Sequence, residues 1–221
     1  RVELGPMLIT TKGGAAPEVE ASYGRARELC ERIADTPRLF PVLWGLWYVN
    51  FSRGEYPLAR DLGEQLLGVA QGSQDPALLL EAHHSLWATL ASMGQMTSAQ
   101  AHLDQGVVLY DPRQHRSYVS LYGGHDPGVC CRNFSALTRW MLGYPDQALR
   151  STQEALTLAR ELSHPLTSAI TLYFAAFVHY NRGDRQAAAD AAEAVVTLAA
   201  AKGISFWSGA ASVLLSRLLV E

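Results

Sequence analysis

A chain of 221 residues holds enough material for one large domain or two small ones, and 48% apolar against 18% charged residues excludes both a disordered tail and a coiled coil. The net charge is −3, the only lysines are Lys12 and Lys202, and no basic stripe exists, which argues against nucleic acid as the main partner. No apolar run reaches the ~20 residues that span a bilayer, and no basic start followed by an apolar core marks a signal peptide. Three cysteines, two of them adjacent, make a poor disulfide framework, so a cytoplasmic protein without a membrane partner is expected. The start at Arg1 suggests a piece of a larger protein.

In chain order, amphipathic spacing predicts helices near 3–12, 17–34, 38–53, 56–71, 76–93, 97–110, 127–142, 145–162, 165–182, 184–202 and 204–220. No segment alternates as a half-buried strand does. Glycines close apolar helical stretches at Gly14, Gly54, Gly94, Gly143 and Gly183, at spacings of 40, 40, 49 and 40 residues. Five residues after the last four comes an alanine (Ala59, Ala99, Ala148, Ala188), small enough for the second helix to approach the first. In the first unit Val19 takes that place, followed by Tyr23 and Ala26.

Prolines keep the same phase. Pro37, Pro76, Pro127 and Pro165 open the first helix of successive units, where a missing N–H costs nothing, with Thr36, Asp75 and Asp126 placed as N-caps. Ala148, Ala155, Ala159 and Leu162 are expected to line one face of their helix, and Ala188, Ala192, Val195 and Leu198 one face of theirs. The units end near 36, 75, 126, 164 and 203 within one domain over 1–221, leaving one unpaired helix at 204–221 whose apolar Val213, Leu214, Leu215, Leu218 and Leu219 lack a partner. Such an uncovered end is what a truncated array looks like, and self-association through it is expected.

Gly-x4-Ala across a helix turn, with Tyr and Ala four and seven residues later, resembles the tetratricopeptide consensus, most clearly at Gly143–Leu156 and Gly183–Val195. The period of 40 is longer than that family's, which is about 34. The resemblance implies an all-α, right-handed α-solenoid of about eleven antiparallel helices in tetratricopeptide-like pairs. Longer helices of this kind resemble the repeat regions of large signalling ATPases, including the maltose-regulator type of transcription activator.

Five strings, LFPVLWGLW (Leu39–Trp47), DPALLLEAHHSLWATL (Asp75–Leu90), LYDPRQHRS (Leu109–Ser117), DPGV (Asp126–Val129) and ARELSHP (Ala159–Pro165), look narrower still. They are similar to the C-terminal repeat region of bacterial proteins that join a class III adenylate/guanylate cyclase to a predicted ATPase. That implies a regulatory or scaffolding role beside catalytic domains outside this chain.

Catalytic motifs are missing from the sequence. Each lysine is followed by glycine, so no P-loop forms, and no G-x-S-x-G, H-E-x-x-H or C-x-x-C occurs. A non-catalytic module with no cofactor is expected. Carboxylates sit with arginines on solvated helix faces, as in Arg25–Glu31. His125, Cys130 and Cys131, with His102 or His115, suggest a metal site at first sight. Adjacent cysteines on a helix point about 100° apart, so the expectation is no metal, and a buried cysteine beside an exposed loop histidine.

Two binding surfaces remain. Counting back from each glycine places Trp44, Tyr48, Phe51, His84, Asn133, Trp140, Tyr173, Phe177 and Tyr180 on the concave side, where aromatics with a few polar groups suit a peptide or a small apolar ligand; inter-helix packing is the plainer reading. The segment Asp111–His125 supplies the nine extra residues of the fourth unit and carries Arg113, His115, Arg116, Tyr118, Tyr122 and His125. Insertions in repeat arrays often fall on the binding face, although a strap packing its tyrosines would look the same. The expected partner is a protein, a peptide or an adjacent domain of the same chain. The alternative is a small-molecule effector sensed in the manner of the maltose-regulator repeats.

Overall fold

The computed structural model describes residues 4–33, 36–115, 119 and 121–220. These residues form twelve helices and no strand: α1 (Leu4–Lys12), α2 (Pro17–Ile33), α3 (Thr36–Ser52), α4 (Tyr56–Ser73), α5 (Pro76–Ser92), α6 (Met96–Leu109), α7 (Pro112–His115), α8 (Pro127–Met141), α9 (Pro145–Leu162), α10 (Pro165–Arg182), α11 (Arg185–Lys202) and α12 (Ser205–Val220). The extra helix is α7, a single turn inside the segment read from sequence as an insertion loop. Among the described residues no helix is long and apolar enough to cross a membrane.

The helix turns repeat at the level of single hydrogen bonds. Gly54, Gly94, Gly143 and Gly183 all have φ between +77° and +86°, the left-handed region that glycine enters without a Cβ penalty. The residue after each glycine donates to the carbonyl five positions back: Glu55 to Asn50, Gln95 to Leu90, Tyr144 to Arg139 and Asp184 to His179, at 2.8–3.0 Å. That is the 6→1 bond of a Schellman cap. The same four residues then accept at 2.9–3.0 Å from Ala59, Ala99, Ala148 and Ala188, starting the next helix. All four alanines have no exposed surface, because each lies where paired helices touch.

The first turn departs from expectation. Gly13, at φ +87°, and not Gly14, is its left-handed residue. Val19, Tyr23 and Ala26 are nevertheless buried as the pattern required. Two of the turns between pairs use no glycine: Gln74 and Ser163 take φ near +53°, then Asp75 and His164 cap the next helix by accepting from Ala77 N (2.9 Å) and Thr167 N (3.3 Å), whereas Gly203, at φ +70°, closes α11. Thr36, expected as a cap, is the first residue of α3.

The chain divides into two compact units, Arg1–Gly128 and Val129–Glu221, with the boundary in the first turn of α8. In the first, each helix from α1 to α6 packs on its neighbour in sequence, and α3 also touches α5. Tyr23 lies so close to Gly5 and Gly45 that a Cβ at either would fall within its ring. In the second, α10 packs on α9, α11 and α12, and α11 on α12. Contacts to the next helix and to the one after it are how helical repeats cover one another.

Of the predicted helix faces, Ala148, Ala155 and Ala159 are buried, as are Ala188, Ala192 and Val195. Leu162 and Leu198 are only half-buried, Ala199 taking the inward place expected of Leu198. The last helix is not bare: Ala211, Leu214 and Leu218 are buried, Leu214 against α11, and Arg185 donates to the Leu218 carbonyl, while Phe206 and Val213 stay exposed.

Candidate functional site

The first unit concentrates unusual chemistry around α5. Glu81, one turn before His84 in an otherwise apolar helix, is fully buried, as is His84, and the Glu81 Oε2 lies 3.1 Å from His84 Nδ1. His84 stacks on Trp87 (ring centroids 4.9 Å apart) and lies 5.8–6.1 Å from the Trp47 and Trp44 rings of α3. Trp44 itself stacks on Tyr48, and Trp47 on Phe51. The Trp47 indole donates to Thr89 Oγ1 at 2.9 Å. Trp87 Nε1 is buried without a hydrogen bond; Trp44 Nε1 makes none of good geometry but lies near enough to Glu81 to favour its ionised form.

The segment before α8 folds over this core. Gly123 and Gly124 both take φ near +75°, and a Cβ at Gly123 would stand 3.0 Å from Trp44 and from His125. This tight turn packs Tyr122 on Trp44 and Phe40 and brings His125 edge-on to His84, with centroids 5.2 Å apart. His125 Nδ1 lies 3.2 Å from the Gly123 carbonyl oxygen, to which it donates. His125, expected as an exposed loop residue, is therefore partly covered and held against α5. The nitrogens that His84 and His125 offer as donors lie within 4.8 Å of each other.

Burial sets the electrostatics. Desolvation pushes the Glu81 carboxyl up to about 8, opposed by the nearby His125 and His115 rings, so it holds its proton at neutral pH. The same desolvation depresses His84 to about 3, and His125, also repelled by His84, to about 4, so both imidazoles are neutral. Asp126 is buried too and accepts from the Tyr110 hydroxyl at 3.0 Å.

The remaining predicted residues fall elsewhere. His115, buried, turns its Nδ1 back to the Asp111 backbone at 2.8–3.0 Å, closing α7. Arg113 is exposed and pairs loosely with Asp111. Arg116 and Tyr118 lie outside the described residues. His102 meets His83, with the two Nδ1 atoms 2.8 Å apart across α5 and α6.

In the second unit, buried Asn133 donates to Thr171 Oγ1 at 3.3 Å. Trp140 packs on Ala136, Ala148 and Val178, and Tyr173 and Tyr180 lie half-buried against Ala176 and its neighbours. Phe177 is half-buried as well. Of the predicted groove residues, then, Trp44, His84 and Asn133 have almost no accessible surface, whereas Tyr173, Phe177 and Tyr180 keep some.

Glu81, Trp47 and Trp87 are not among the residues expected from sequence, and Asp126 is expected there only as a helix cap. For Glu81 the signal was there: an acid whose neighbours one turn away on α5 are Ala77, Leu78, His84 and Ser85 has no solvated face to join.

No family model matches the chain. An uncharacterized protein of Rhizobium meliloti (strain 1021) is 24% identical over 183 residues, covering 82% of this chain and 18% of that protein. The chain thus spans less than a fifth of the length of the curated relative it matches.

Proposed function

We propose that the chain is a non-catalytic interaction module, a right-handed tetratricopeptide-like solenoid with a repeat near 40 residues, acting as a regulatory scaffold within a longer cytoplasmic signalling protein of the cyclase–ATPase type. The observation that carries it is the fourfold recurrence of one turn: a left-handed glycine, a 6→1 bond and a fully buried alanine five residues on. Such units exist to be stacked, and stacking yields extended binding surface instead of a catalytic cleft. The match to a small part of a much longer protein is in keeping with a module of this kind.

The partner is a protein, a peptide or an adjacent domain of the same chain, held by the half-buried aromatics of α10, Tyr173, Phe177 and Tyr180. The test is affinity capture with the wild-type chain, then titration of the captured protein against Tyr173→Ala, Phe177→Ala and the exposed control Arg150→Ala. A hot spot loses ~2 kcal/mol, about 30-fold in Kd, with unchanged circular dichroism. Equal losses in all three variants, or no saturable binding, would end this reading.

A second reading has an observation of its own. The buried Glu81, His84 and indole donors of the first unit are the kind of polar groups that orient a small effector. A metabolite that raises the melting temperature of wild type but not of Glu81→Gln would favour it over the scaffold.

A further inference from the structure

We propose that a second copy of this chain docks on the outer face of α12, the two helices lying antiparallel about a two-fold axis level with Ala211. The inference is independent of the partner question and concerns the second unit alone. Ala211, Leu214 and Leu218 are the buried side of α12. The opposite side carries Phe206, Gly209, Val213 and Ser216, all exposed, Phe206 by 75% and Val213 by 62%. Their spacing of three, four and three residues is that of the a/d seam on which two helices pair.

The matching face of α10 is already covered by a helix. Forty residues earlier, the places of Gly209 and Ser216 are held by Ala169 and Ala176, which have no exposed surface, and Ala176 packs with Ala192 and Val195 of α11. On α12 the hydroxyls are ready for the same burial. Ser212 and Ser216 donate to the Ser208 and Ser212 carbonyls at 2.9 Å, as buried Thr152 and Thr171 do within their own helices. A Cβ at Gly209 would meet no atom of this chain within 4 Å, so the space above it is open to a partner.

Self-complementarity singles out a second copy. Large and small residues alternate along the seam, so an antiparallel pair sets Phe206 against Ser216 of the second copy and Val213 against its Gly209. Each contact then occurs twice, as an isologous two-fold interface requires. A parallel pair would oppose the two Phe206 rings and leave a gap between the two Gly209 positions. Self-pairing meets no like-charge penalty on this seam, which has no charged residue, whereas the exposed sides of α9 and α11 carry Arg150, Glu154, Asp190 and Glu193. The one charged residue of α12, Arg217, lies beside the seam, and antiparallel pairing holds its two copies about 18 Å apart along the axis. At 16 residues the face is about 24 Å long and one helix wide, well under the ~800 Å² per partner of a standard interface, so the dimer is weak and concentration-dependent.

The experiment is sedimentation of the whole 221-residue chain over a concentration series, with isotope-filtered NOE spectra of a mixed labelled and unlabelled sample. A monomer–dimer equilibrium is expected, with intermolecular contacts from the Phe206 ring to Ser216 and from the Val213 methyls to Gly209. Val213→Glu should weaken the dimer tenfold or more. Gly209→Leu has open space in the monomer and favours the helix, yet should weaken the dimer as much, because it fills the place of Val213 of the second copy. Val108→Glu, at an 80% exposed valine of α6 in the other unit, should leave the equilibrium unchanged. Should a variant misfold, the wild-type NOE contacts decide alone. The proposal falls if the chain stays monomeric at every concentration, if the contacts join Phe206 to Phe206 or lie on another surface, or if Val108→Glu is the variant that dissociates the dimer.

Discussion

The interior of the first unit is rich in large rings and buried titratable groups; that of the second is rich in alanine and hydroxyls. Trp44, Trp47, Trp87 and Phe40 are fully buried in the first, around Glu81, His84, His115 and Asp126. In the second, no tryptophan is as deeply buried, and the buried positions include Ala136, Ala148, Ala155, Ala175, Ala176, Ala188, Ala192 and Ala211, with Ser151, Thr152, Thr167 and Thr171 among them. Those hydroxyls are satisfied locally, Thr152 donating to the Ala148 carbonyl at 3.0 Å and Thr171 to that of Thr167 at 2.8 Å, while Arg139 donates to Ser151 Oγ at 2.7 Å.

The same turn geometry thus supports two kinds of packing. Alanine lets helices approach closely and leaves no room for a site. Large rings in the first unit surround buried polar groups, Glu81 and His84 among them.

If that contrast is real, the two units should fail in opposite ways. The largest loss is expected on emptying the ring-filled core: Trp87→Ala, at a position with no exposure, should cost ~3–5 kcal/mol by urea denaturation. The alanine-filled core should fail on filling: Ala148→Leu or Ala188→Leu should overpack the helix contact and cost about 1–3 kcal/mol. A Trp87→Ala variant less damaged than either alanine variant would erase the distinction.

A pH measurement sharpens it further. Burial lowers the His102 pKa below 6.5, so the folded state refuses a proton that the unfolded chain accepts. The unfolded state then binds more protons, and stability rises with pH across that window and is lost as pH falls below about 6.5. His102→Gln should flatten this part of the stability curve; an unchanged slope would mean that His102 is solvated in the folded protein. The smallest effect belongs to the exposed face of α9, where Arg150→Ala should stay within ~0.5 kcal/mol of wild type.

The helices, their turns and the inward alanines were legible from sequence because each depends on residues at most five apart. Gly143 and Ala148 need only a left-handed cap and a close helix contact, and both requirements are written in the residue types themselves. Where the pattern slipped, at Gly14 for Gly13 and at Leu198 for Ala199, it slipped by one residue, since amphipathic spacing fixes a face more firmly than a position. Which aromatics are sealed in and which keep some surface was not legible: Trp44 and Tyr173 occupy equivalent predicted positions, yet only one is fully buried. The meeting of His84 with His125 needed the whole path from α5 through α7 and back over Trp44, across a segment with no repeat period to read. Local hydrogen bonding determined the first set, and only long-range chain closure, which leaves no mark at helical spacing, decided the second.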